Sequence, residues 1–118
     1  MSGFSAQHPD TLATRNNLAI WTGRAGDAAR ARDLFTDLLP IREEILGAKH
    51  PETLATRNNL AHFTGAAGDA PGARDQLAAL LPLRERVQGR GHPDTLAARH
   101  DLAYWTGQAE NKPSDDVN

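Results

Sequence analysis

HPDTLATRNNLA at residues 8–19 returns as HPETLATRNNLA at 50–61 and as HPDTLAARHDLA at 92–103. Each copy begins 42 residues after the previous one, with no insertion or deletion. A fixed period in this range marks a stacked array, in which each unit covers its apolar face by packing on the next. Arrays of this kind work through an extended surface rather than a catalytic pocket, so the repeat bears on function as well as on fold.

Within a unit the pattern predicts two helices. The first opens at Pro9, Pro51 or Pro93, because proline suits the first helical position, where its missing N–H would be unpaired anyway. An acidic residue follows each proline (Asp10, Glu52, Asp94) and meets the positive end of the helix. The helix runs to about Gly23. A Gly26-Asp27 turn, repeated as Gly68-Asp69, then combines a left-handed glycine with an N-cap for the second helix. Ala31, Leu34, Phe35, Leu38 and Ile45 form the apolar stripe of that helix, matched by Ala73, Leu77, Leu80 and Val87. Gly47 and Gly89 end it. Pro40 and Pro82 fall inside it and predict a bend at Leu39-Pro40 and Leu81-Pro82, or a helix broken in two. The third unit departs after Gly107, with no apolar stripe beyond. The divisions are an N-terminal extension at 1–7, repeats at 8–49 and 50–91, a terminal helix at 92–109, and a disordered tail at 110–118.

At 118 residues the chain is one small domain. Thirteen basic against fifteen acidic residues give a net charge of −2, so no electrostatic feature points to nucleic acid. There is no cysteine, which excludes disulfides and thiolate metal sites. Only Lys49 and Lys112 are lysines; a composition this rich in Arg and Ala hints at a bacterial source. MSGFSAQ does not read as a signal peptide, and no run nears the ~18 apolar residues of a membrane span. The expectation is a cytoplasmic protein with no membrane partner.

Asn-Asn-Leu-Ala in the first helix, Gly-Asp at the turn, Ala-Arg after it, then Ile41-Arg42-Glu43 or Leu83-Arg84-Glu85 before Gly and His-Pro together resemble the 42-residue tetratricopeptide repeat of kinesin light chain type. Similar arrays accompany bacterial signalling ATPases of the NB-ARC/STAND kind. The resemblance covers residues 8 to about 109. It implies an all-α fold: a right-handed α-solenoid of antiparallel helix pairs, two full repeats plus one terminal helix, five helices in all. First helices would line the concave side, which in the family holds an extended peptide or a partner helix. One departure is Thr22, Thr64 and Thr106, where the usual repeat has tyrosine.

Helix geometry divides the first helix into faces. At about 100° per residue, Leu18, Trp21 and Ala25 share one face, read as core, and Trp21, Phe63 and Trp105 recur there. The opposite face carries Ala13, Asn16, Ile20 and Gly23 in the first unit, Asn58, His62 and Gly65 in the second, and His100, Tyr104 and Gly107 in the third. Leu18, Leu60 and Leu102 are identical, whereas Ile20, His62 and Tyr104 differ in all three units. That contrast fits either a tunable contact surface or drift at exposed positions. Asn16 and Asn58 can donate and accept at once, and so can grip a bound backbone or bond within the array. Asn17 and Asn59 lie nearer the flank and read as structural. Arg15, Arg57 and Arg99 form either a ladder for an acidic peptide or pairs with Asp33, Asp75 or another nearby carboxylate. Arg42-Glu43 and Arg84-Glu85 read as salt bridges at unit boundaries.

Among the five histidines, His8, His50 and His92 sit in successive units, too far apart to share an ion. They read as helix-start residues, and no metal or cofactor is expected. His62 and His100 can face each other across adjacent first helices as a polar patch. Nothing resembles a nucleophile–base set or a phosphate loop, so no enzyme is expected. Two readings remain. One is a protein-interaction module whose groove carries Asn16, Ile20, Asn58, His62, His100 and Tyr104, with Arg15, Arg57 and Arg99. The alternative is a self-associating module, a homodimer formed through Leu102 and Trp105, which lack the helix that would normally cover them.

Overall fold

The structure is a computed structural model that describes residues 9–111, with side-chain surroundings from residue 11 onward. Within it are five helices: α1 (Pro9–Arg24), α2 (Ala28–Leu46), α3 (Pro51–Ala66), α4 (Ala70–Gln88) and α5 (Pro93–Glu110). His8, the N-terminal extension and the tail from 112 onward lie outside the described residues. Position 110, read as the start of a tail, still belongs to α5, and Asn111 caps it by donating its N–H to the Gly107 carbonyl. No helix among the described residues is long and apolar enough to cross a membrane.

The helix boundaries follow local chemistry. Asp27 accepts from the Arg30 N–H at 3.1 Å and Asp69 from the Gly72 N–H at 2.9 Å. Gly26 and Gly68 supply the positive φ (104° and 112°) that the turn before each cap requires. His50 and His92 are indeed helix-start residues. Each accepts through Nδ1 from a backbone N–H two residues on, Glu52 at 3.1 Å and Asp94 at 3.0 Å. Pro40 and Pro82 do not break α2 or α4. Both prolines lie on the exposed side with Thr36 and Ala78, whose carbonyls lose a partner there, and solvent can replace the missing donor.

Consecutive helices pack pairwise, and the core forms in two thin layers. Leu12, Ala19, Ala31, Phe35 and Leu38 of the first helix pair are closed over by Phe63 of α3. Leu54, Ala61, Ala73, Leu77 and Leu80 of the second pair are closed over by Trp105 of α5. Each layer is thus completed by the aromatic residue of the following first helix. Phe63 stacks on Phe35 with ring centroids 5.8 Å apart and lies directly against Gly23; Trp105 lies in the same way against Gly65. A Cβ on either glycine would sit inside the aromatic ring, so the absence of a side chain is what lets the first helices approach. Ile45 and Val87, placed on the core stripe by periodicity, lie at its exposed edge.

The inward reading of Trp21 and Leu18 does not hold. Phe63 and Trp105 are each 8% exposed, but Trp21 is 65% exposed and Leu18 57%. All three aromatic positions point the same way along the array, and α1 has no described unit before it to supply the glycine. The same geometry overturns the premise of the Leu102–Trp105 association surface. Trp105 is buried against the unit that precedes it, and Leu102 is half-buried on the same layer.

The joints between units also contain two buried arginines. Arg42 and Arg84 are 6% and 3% exposed, not surface salt-bridge residues. Their partners are not Glu43 and Glu85 but residues of the following helix. Arg42 Nη1 lies 3.6 Å from a Glu52 carboxylate oxygen and 3.3 Å from the Glu52 carbonyl, and Arg84 Nη1 lies 3.9 Å from Asp94. Arg84 Nη1 also donates to Gln88 Oε1 at 2.6 Å. Nε of each arginine is buried without a hydrogen bond. Burial pulls the Arg84 guanidinium below its usual pKa, and the Asp94 charge opposes that shift.

Two sets of outcomes follow. Trp105→Ala should lower unfolding free energy by about 3–5 kcal/mol, the usual range for deleting a buried aromatic, whereas Trp21→Ala should cost under about 0.5 kcal/mol. Gly65→Ala should cost about 1–3 kcal/mol by overpacking Trp105. Urea denaturation of the three variants checks this, and equal losses at Trp21 and Trp105 would refute the joint described above. Arg84→Met, which keeps the stem and removes the buried charge, should match or exceed the parent in thermal melting; Arg84→Ala should lose about 2 kcal/mol or more through the cavity it leaves.

Candidate functional site

The curvature of the array decides which surface can enclose a ligand. α1 touches α3 and α3 touches α5, while α2 and α4 do not touch each other. First helices therefore converge and second helices splay, so the array is concave on the side of α1, α3 and α5.

On α3 the buried residues are Thr53, Leu54, Thr56, Ala61, Phe63, Thr64 and Gly65. Ala55, His62 and Ala66 are left exposed along one stripe, with half-buried Asn59 at its edge. The same stripe on α5 is Ala97, Asp101, Tyr104 and Gln108; on α1 it is Ala13, Asn17, Ile20 and Arg24. The varied trio Ile20, His62 and Tyr104 thus runs side by side across three helices. His62 and Tyr104 are exposed, but Ile20 is half-buried and packs on the first core layer. His62 stands edge-on to Phe63 (4.8 Å, 79°) and to Trp105 (6.2 Å, 68°), and Tyr104 stands edge-on to Trp105 (4.7 Å, 82°). The core aromatics that join the units also brace the exposed ones, which limits the rotamer freedom a bound partner would have to remove.

The asparagines divide differently from expectation. Asn58 Nδ2 donates to Asp101 Oδ2 at 3.1 Å across the α3–α5 boundary, so it bonds within the array. Asn59, read as structural, sits beside the exposed stripe. Ala55, Asn58, Asn59, Arg84, Asp94 and Ala97 line a cavity of about 200 Å³ between α3 and α5. Asn16 is half-buried and His100 exposed; the described ring contacts of His62 are with Phe63 and Trp105.

The arginine series does not line this face as one ladder. Arg99 Nη2 is bonded to Glu85 Oε2 of α4 at 3.0 Å. Arg57 lines a separate cleft of about 420 Å³ between α2 and α4, with Leu39, Leu60, Asp75, Gln76 and Ala79. Asp33 and Asp75 pair with their own neighbours, Arg32 at 3.1 Å and Arg74 at 3.0 Å. Arg15 is half-buried on α1. Periodicity did hold a signal for the missed residues. Arg42 and Arg84 continue the stripes Phe35, Leu38 and Leu77, Leu80 by one turn, which places them toward the core although they are charged.

Comparison with known proteins fits this geometry. The sequence profile of the tetratricopeptide repeat matches residues 11–52 and 53–94, two consecutive windows with the 42-residue period of the sequence. No curated protein matches the chain. Among solved structures, the nearly identical repeats of a Podospora anserina kinesin light chain superpose with a TM-score of 0.80 at 27% identity, over 92% of this chain and 53% of that one. A single-substitution variant of the same protein superposes equally well, with 52% of its length covered. The chain thus spans about half the length of these structures. Repeats of this class are protein–protein interaction scaffolds. With the profile spanning most of its residues, and its helix pairs stacked as in kinesin light chain repeats, the chain belongs to the tetratricopeptide repeat family.

Proposed function

We propose that the chain is a non-catalytic interaction module that takes a peptide or a partner helix across the face of α1, α3 and α5. The observation that carries this reading is the pair of exposed aromatic rings, His62 and Tyr104, braced edge-on against buried Phe63 and Trp105. Aromatic side chains held at low entropic cost are the usual anchors of protein recognition. Beside them Asn59 and the small cavity at the α3–α5 boundary offer amide groups that can both donate to and accept from a peptide backbone. Ala55, Ala66 and Ala97 keep the floor of the face low. The difference among Ile20, His62 and Tyr104, set between Leu-Ala and Thr-Gly pairs that are identical in all three units, supports a surface whose chemistry varies along its length.

Asn58 and Arg99 contribute to this function by holding the helices, not by contact. Arg99 is engaged with Glu85 and Asn58 with Asp101, so replacing either would disturb the array before it disturbed a ligand.

A random peptide library selected on the immobilised chain tests the reading. Peptides so obtained should bind His62→Ala/Tyr104→Ala at least tenfold more weakly, a loss of about 1.4 kcal/mol or more, with unchanged circular dichroism. Asp37→Ala on the outer side of α2 should leave binding unchanged. Full binding by the double variant, together with loss on outer-face substitution, would reject the groove.

A further inference from the structure

The joint between units has two halves: an aromatic residue on one first helix and a glycine on the first helix before it. Both complete joints are present within the chain, Phe63 on Gly23 and Trp105 on Gly65. At each end of the described array one half stands alone. Trp21 holds the position of Phe63 and Trp105 yet is 65% exposed, with Leu18 exposed beside it. Gly107 holds the position of Gly23 and Gly65, but a Cβ built there meets nothing within 4 Å.

We propose that copies of this chain stack head to tail, with Trp21 of one copy seated over Gly107 of the next. The same displacement that carries Trp105–Gly65 onto this new contact also carries the Asn58–Asp101 hydrogen bond onto Asn17 of the copy that supplies Trp21 and His100 of the copy that supplies Gly107. Both residues are exposed, and both side chains can donate and accept. The occupant of the α1 face is therefore the α5 face of an identical chain, in continuity with the interface that already joins α1 to α3 and α3 to α5. Head and tail are different surfaces, so the contact is heterologous and each copy added leaves a new end open. The internal joint also includes a second-helix component, Phe35 beneath Phe63, which has no counterpart after α5 among the described residues. Association is accordingly weak, and visible at high protein concentration. The same displacement carries the His62–Trp105 edge contact onto Tyr104 and the incoming Trp21, so Tyr104 borders the new joint and, like His62 at the internal one, stays exposed to the groove. The stacking goes beyond the groove reading and is tested separately from it, by mass rather than by peptide binding.

Sedimentation velocity of the 118-residue chain from low micromolar to millimolar concentration tests the proposal. The weight-average mass of the parent should rise with concentration. Trp21→Ala and Gly107→Leu should each remain monomeric with unchanged circular dichroism, because one alters an exposed ring and the other fills open space. An equimolar mixture of the two should regain association and stop at a pair, since the intact Trp21 of one variant meets the intact Gly107 of the other. In Trp105→Phe, which borrows the residue used at Phe63, Trp21 is the lone tryptophan, and its emission should shift to the blue as concentration rises. A parent that stays monomeric throughout overturns the proposal. So does a Gly107→Leu variant that still associates, which would indicate a symmetric contact through Trp21, and so does a mixture that fails to pair.

Discussion

An aromatic ring resting on a bare glycine governs this molecule. Phe63 occupies space that any side chain at position 23 would fill, and Trp105 does the same at position 65. The contact brings first helices close enough to touch while second helices stay apart, and this difference is the curvature of the array. It also closes each core layer, since neither helix pair covers its own apolar residues. A solenoid of two and a half units is stable to the extent that each layer borrows a lid from the next.

Around this apolar contact the joint is unusually polar. Thr53 and Thr95 are fully buried, and each hydroxyl donates to the carbonyl of the arginine packed beside it, Arg42 or Arg84, at 3.4 Å. The two guanidinium groups reach across to the N-terminal turn of the next helix, where Glu52 and Asp94 favour a positive neighbour. Such groups add little net stability, because desolvation offsets the attraction. What they supply is registration: the helix that follows must present its first turn at one height for these bonds to form.

The exposed face of the first helices follows from the same packing. Once rings and glycines have taken one side of each first helix and the second helices another, a stripe through His62 and Tyr104 is left. The residues that border it are held from behind. On the reading proposed above, a ligand would meet a surface already shaped by the joints: one interaction sets both the spacing of the units and the orientation of the exposed stripe.

Much of this was legible in the primary structure. The 42-residue period defines the equivalent positions; prolines, Gly-Asp turns and terminal glycines mark the helix ends; and helical periodicity puts the varied positions Ile20, His62 and Tyr104 on one shared stripe. Other features were not legible. Trp21 and Trp105 carry the same letter at the same phase, yet one is in solvent and the other in the core. Asn58 and Asn59 are adjacent and identical, yet one bonds across a joint and the other borders a cavity. A repeat dictates equivalence along the chain because each unit follows the same local rules of capping and periodicity. Burial belongs to a pair of neighbours, so only the stacked helices could decide which of two equivalent residues has a partner above it and which is left at an end.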